Sequence, residues 1–116
     1  MNGHISVSDV NGATVVNFTD KHIIQETGIK ETGEELLSLV DKEGKKKILL
    51  DFSGVDFISS VLLAALINLD KKMRATGGKL AMCGMRPEIF ELFCITKLDR
   101  LFDIHDDLQA ALSQFS

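Results

Sequence analysis

The stretch Ile48-Leu49-Leu50-Asp51-Phe52-Ser53-Gly54-Val55-Asp56-Phe57-Ile58-Ser59-Ser60 joins two different hydropathy patterns. Its first five residues form a nearly continuous apolar run, the pattern of a strand covered on both faces. Ser53-Gly54-Val55-Asp56 is turn-like. Phe57-Ile58 then leads through Ser59-Ser60 into residues with helical spacing. Leu62, Leu66, Leu69 and Met73, flanked by Ala65, make the buried stripe, and Asp70, Lys71, Lys72 and Arg74 are expected on the wet face. Gly77-Gly78 is expected to end that helix as a left-handed C-cap.

Downstream, residues 79–83 read as a second buried strand. Pro87 then stands where the first turn of a helix favours it, with Glu88 beside the positive dipole end. Ile89, Phe90, Phe93 and Cys94 are the apolar residues of that helix. Residues 101–105 read as a last short strand. Asp106 or Asp107 is expected to cap a C-terminal helix carrying Leu108, Ala111, Leu112 and Phe115.

Upstream, Ile5 and Val7 alternate with Ser6 and Ser8. Asn11-Gly12 separates this run from Thr14-Val15-Val16-Asn17-Phe18, a strong hairpin signal because both central residues of a type I′ turn need positive φ. Ile29, Gly33, Leu36 and Val40, widened by Leu37, predict a helix over 26–42 that stops near Gly44. Thr32-Gly33-Glu34-Glu35 has the form of a capping box, which leaves a start near Thr32 open as well. A hairpin followed by alternating helices and strands predicts an α/β fold, a mixed sheet with helices packed on it, built from residues 1–116 as one domain.

Composition narrows the function classes. The 116 residues carry 13 Lys and Arg against 17 Asp and Glu, a formal charge of -4, so no electrostatic footprint for nucleic acid is expected. The longest apolar run, residues 61–67, has seven residues, whereas a membrane span needs about 20. Met1-Asn2-Gly3-His4 lacks the basic flank of a secretory signal. Cys83 and Cys94 have no metal-ligand spacing and fit a reducing cytoplasm.

No constellation for catalysis emerges, so no enzyme activity and no cofactor are expected. Asp51 ends a strand as a receiver phosphoaspartate does, but Phe18-Thr19-Asp20 lacks the acidic pair that would hold Mg²⁺. No Gly-x-Ser-x-Gly elbow surrounds Ser53, Ser59 or Ser60. Gly77-Gly78 follows a helix, the wrong side for phosphate binding. His4, His22 and His105 are too scattered to build a metal site. Lys45, Lys46 and Lys47 read as a solvated turn, Cys83 as a small core hydrophobe, and Met82 and Met85 as core and loop residues. The useful place is the start of the helix at Ser59-Ser60. One serine there is an N-cap, and a phosphate added there would sit beside a positive dipole end.

The segment from Asp51 to Ser60, together with Gly77-Gly78-Lys79-Leu80 and Thr96-Lys97-Leu98-Asp99-Arg100-Leu101-Phe102, resembles the STAS domain family. STAS domains occur in bacterial anti-sigma factor antagonists and in the tails of sulphate transporters. The resemblance covers nearly the whole chain and implies a partner-switching antagonist. Unmodified, such a protein binds an anti-sigma factor serine kinase, a histidine-kinase-like ATPase. Phosphorylation of a serine releases it, and a PP2C-type phosphatase reverses the mark. In the family pattern Asp-Ser-Ser-Gly, Ser59 takes the aspartate position, Ser60 the modified serine, Val61 the second serine and Leu62 the glycine. Lys97 stands where the family has a glycine after the third helix. Ser60 is therefore the expected phosphorylation site. Asp20, Asp56, Ser59, Met85 and Arg86, on loops at the same sheet end, are expected to join it in contacting the partner. The alternative is a STAS scaffold module whose serines only cap a helix.

Overall fold

The computed structural model describes residues 5–18, 22–23 and 26–113, those at 22–23 and 26–29 by their backbone alone. Asn11 and Gly12 take φ values of 53° and 86°, so the hairpin turn has the expected type I′ form. It pairs β1 (Ile5–Val10) antiparallel to β2 (Ala13–Phe18), with Val10 opposite Ala13. After the two-residue strand β3 (His22–Ile23) come helix α1 (Glu26–Asp41) and strand β4 (Lys47–Asp51). Then follow β5 (Phe57–Ile58), α2 (Ser60–Ala75), β6 (Lys79–Cys83), α3 (Pro87–Ile95), β7 (Asp103–His105) and α4 (Leu108–Ser113).

The main sheet has the order β1-β2-β4-β6-β7, and every pair except β1–β2 is parallel. Alternation along the strands divides two apolar layers. Val16, Ile48, Leu50, Leu80 and Met82 join Leu36, Leu62, Leu66, Leu69, Met73 and Phe93 of the first three helices. Val15, Leu49, Ala81 and Cys83 face Ala111, with Leu108 and Leu112 packed beside them. One face thus carries three helices and the other carries α4. A chain of ring contacts runs through the larger layer. Phe18 and Phe52 lie 5.0 Å apart between centroids, Phe52 and Phe93 6.3 Å, and Phe93 and Phe102 5.9 Å.

Several expectations change. Helix α1 begins at Glu26 as its spacing predicts, and it is the alternative start that falls away: Thr32 is no cap but a buried residue within the helix. The reason lies in helix packing: a Cβ on neighbouring Gly33 would stand 3.4 Å from Ala65 Cβ, so small residues here let α1 approach α2. Asp70 is buried rather than wet, held by Arg74 Nε at 2.7 Å. On α3 only Ile89 and Phe93 are buried, while Phe90 and Cys94 face outward. The last strand shrinks to Asp103–His105, because Leu98–Arg100 forms a 3₁₀ turn ahead of it. Lys97 adopts φ 63°, the left-handed conformation that its place in the motif requires. Asp107 caps α4 through Ala110 N–H, which donates to Oδ1 at 2.9 Å. His4 and Phe115 lie outside the described residues.

Candidate functional site

Asp51 and Cys83 are register partners at the carboxyl ends of β4 and β6, so the loops leaving these strands start side by side. Asp51 uses its carboxylate to turn its own loop, with Ser53 N–H donating to Oδ1 at 2.9 Å. Phe52 N–H donates to the Cys83 carbonyl at 2.9 Å, and Val55 N–H to the Phe52 carbonyl at 3.0 Å. Gly84 presses the second loop onto this turn. A Cβ there would meet Ser53 Oγ at 2.5 Å and Asp51 Oδ1 at 2.7 Å, and its φ of +73° also favours glycine. Sequence reasoning missed this residue, although a glycine directly after a buried strand is a signal of close backbone approach.

The first loop then runs into β5, which pairs in parallel with β3, His22 opposite Phe57 and Ile23 opposite Ile58. Ile58 is buried and anchors the segment, while Phe57 is 53% exposed. Ser59 takes extended backbone angles and caps α2, its Oγ accepting from Leu62 N–H at 3.2 Å. Ser60 is the first helical residue and is exposed. Val61, next to it, is 55% exposed, whereas Leu62 and Leu63 point into the core. The first turn of α2 has no acidic residue, so no carboxylate of that turn competes for its positive end. The two serines thus divide two tasks: Ser59 secures the helix and Ser60 presents its hydroxyl.

On the second loop Met85 is partly buried against the main core, and Arg86 occupies the position before α3 without capping it by its side chain. The guanidinium reaches across instead, with Nη2 at 3.0 Å from Asp56 Oδ1. Of the residues expected at the partner surface, Asp56 and Arg86 are directly joined. Ser59 and Ser60 follow Asp56 on the same loop, Met85 precedes Arg86 on its neighbour, and Asp20 lies outside the described residues.

Cys83 is fully buried below this corner. Burial, reinforced by the carboxylates of Asp51 and Asp107, pushes its thiol up to about 12, so it stays neutral and unreactive. Among the described residues no group of three His, Cys, Asp or Glu side chains is placed to hold a metal ion. Nor, among them, is any helix long and apolar enough to cross a membrane. The arrangement offers an exposed hydroxyl at the start of α2, with exposed Phe57 and Val61 flanking it in the chain and an ion pair joining the two loops.

Known proteins share this plan. BtrV of Bordetella bronchiseptica, assigned as an anti-sigma factor antagonist, is 28% identical over 93 residues, 80% of this chain and 79% of that protein. An anti-sigma-factor antagonist (STAS) domain protein from Planctomyces limnophilus matches with a TM-score of 0.83 at 24% identity, over 97% of this chain and 98% of that one. The Bacillus cell fate determinant SpoIIAA, in its phosphorylated form, matches with a TM-score of 0.75 at 11% identity, covering 97% and 99% of the two chains. At those identities the two structures establish a common fold. The sequence model of the STAS domain matches residues 6–111, and this chain belongs to the STAS domain family.

Proposed function

We propose that this chain is an anti-sigma factor antagonist that works by partner switching, with Ser60 as the modified residue. Unmodified, it binds an anti-sigma factor that is also a serine kinase of the histidine-kinase-like ATPase class. Phosphorylation dissociates the pair, and a PP2C-type phosphatase restores the binding form. The chain is a substrate and a ligand in this cycle, acting in the cytoplasm, rather than a catalyst. In the transfer, Ser60 Oγ attacks the γ-phosphorus of ATP, and its proton passes to a base of the kinase. The bond to the bridging oxygen breaks, and ADP leaves with that electron pair.

The observation that carries this reading is the division between the serines. Ser60 is exposed at the first helical position, while the neighbouring Ser59 makes the cap bond. Esterifying Ser60 therefore costs the helix no hydrogen bond. It adds about -1.5 to -2 charges beside the amino end of α2, where the helix dipole favours an anion. A partner seated on Phe57, Ser60 and Val61 would have to desolvate that charge, which weakens docking without any change of fold. Kinship with BtrV, and a phosphorylated form of SpoIIAA with the same fold, support the reading.

A second reading has its own support. Ser59, Val61 and Leu62 replace the family's acidic residue, second serine and glycine, so a docking module that is never phosphorylated fits the same exposed Phe57 and Val61. Incubation with the cognate kinase and ATP, followed by intact-mass measurement, separates the two. The switch requires one added phosphoryl group on the native chain and none on Ser60→Ala. An equal gain on Ser60→Ala removes Ser60 from the mechanism.

A further inference from the structure

On the far side of β6 from the Ser60 loop, the second loop and the end of β7 enclose a groove of about 300 Å³. Met85, Pro87 and Phe90 line one side, and Ile104, His105 and Asp106 the other. Met85 and Ile104 form a floor continuous with the main core. Phe90 stands at its edge with 42% of its surface exposed, although Ile89 and Phe93 of the same helix are buried. A methionine floor adapts to differing side chains, and an open aromatic edge offers contact area at little cost in rotamer freedom.

The rim is acidic. Asp106 lines the groove and Glu91 stands four residues after Pro87 on the same side of α3, both exposed, while His105, which also lines it, is partly buried with its Nε2 3.0 Å from Asp103 Oδ1. The cation at the edge, Arg86, is engaged by Asp56 at 3.0 Å. We infer that this groove is a docking site for a partner segment carrying a large apolar side chain beside Lys or Arg, centred on Phe90 and Asp106 away from Ser60, with Met85 serving as its floor rather than as a contact of the Ser60 surface. The apolar side chain fills the groove, and the basic neighbour meets Asp106 and Glu91. A second copy is a poor occupant. It would set the same acidic rim against itself on a chain whose formal charge is already -4.

Panning a displayed library of short random peptides against the full chain tests this. The selected peptides should share an aromatic or aliphatic anchor next to Lys or Arg. They should bind Phe90→Lys and Asp106→Lys at least about tenfold more weakly than the native chain. Ser60→Asp should bind them unchanged, which keeps this site distinct from the phosphorylation proposal. Both groove variants alter exposed residues, and circular dichroism confirms that each retains the native fold. Acidic peptides, peptides indifferent to Phe90→Lys, or a library that yields no binder would overturn the inference. Peptides lost on Ser60→Asp would place the binding at the serine surface instead. A native dimer in sedimentation that becomes monomeric on Phe90→Lys would make a second copy the occupant.

Discussion

The two ends of helix α2 are finished in opposite ways. At the carboxyl end the protein satisfies its own groups. Gly78 N–H donates to the Met73 carbonyl at 2.7 Å and Gly77 N–H to the Arg74 carbonyl at 3.2 Å, the paired bonds of a Schellman motif. Lys46 Nζ donates to the Thr76 carbonyl at 2.6 Å, and Arg74 ties buried Asp70 to the Leu101 carbonyl. At the amino end a single side-chain bond, from Leu62 N–H to Ser59, caps the helix, and around it stand an exposed hydroxyl and two exposed apolar side chains. One end closes on its own chain; the other is left open to a visitor. Substitutions at the closed end should therefore cost stability, and those at the open end should change binding while the fold persists.

The sharpest exception to that division is Gly84, which belongs to the open end yet bears on stability. Gly84→Ala places a methyl against Ser53 and Asp51 and forces an L-residue to φ +73°. Overpacking and backbone strain together should cost about 2–4 kcal/mol, read as a lower denaturation midpoint. The same change should displace the loop that leads to Ser60 and weaken partner binding. A Gly84→Ala chain with native stability would show that the two loops are not locked together.

At the closed end, Arg74→Ala removes the partner of a buried carboxylate. Asp70 has 5% exposure, whereas the side chain of Arg74 is 64% exposed, so the loss comes from stranding Asp70 rather than from a surface ion pair. The expected cost is about 1–3 kcal/mol in urea denaturation. Asp70→Asn in the same chain should recover part of it, because the stranded charge is gone. Full additivity of the two changes would break this account.

Cys83 sharpens the comparison from below, and only at alkaline pH. The folded thiol ionises near 12 rather than at the ordinary 9.0, so the unfolded chain sheds its proton first as pH rises. The contribution of Cys83 to stability should be constant below about pH 9 and should fall progressively between there and pH 12. Cys83→Ala should flatten that part of the decline. In the native chain a thiol reagent should modify exposed Cys94 and leave buried Cys83 untouched. Rapid labelling of Cys83 would mean that the floor beneath the site opens readily.

Much of this plan is legible in the chain before any coordinates. Asn11-Gly12 dictates the hairpin because few other pairs tolerate two positive φ values, and the apolar run at 79–83, following Gly77-Gly78, marks a buried strand. What stayed hidden has physical causes. Strands β3 and β5 have two residues each, too few for any periodicity to register. Asp70 sits next to Leu69 at the margin of the stripe, where burial depends on whether Arg74 reaches it. The Asp56–Arg86 pair joins residues thirty positions apart and has no local signature. The tandem serines are an ambiguous signal, since a serine caps a helix equally well from either position.

Backbone angles resolve that ambiguity, and the smallest expected effects test it. Ser59 has φ -93° and ψ 161°, which place its oxygen over the Leu62 N–H, whereas Ser60 already follows the helix and points its hydroxyl outward. Ser59→Ala should cost about 1 kcal/mol, the usual value of an N-cap, and leave phosphorylation of Ser60 possible. Ser60→Ala should change stability by no more than about 0.5 kcal/mol, as exposed substitutions do, while abolishing the phosphoryl gain. Thermal melts of the two variants, run beside the kinase reaction, measure both quantities on the same samples. If Ser60→Ala proves the more destabilising, the cap belongs to Ser60, and phosphorylation there would have to break a bond that the helix needs.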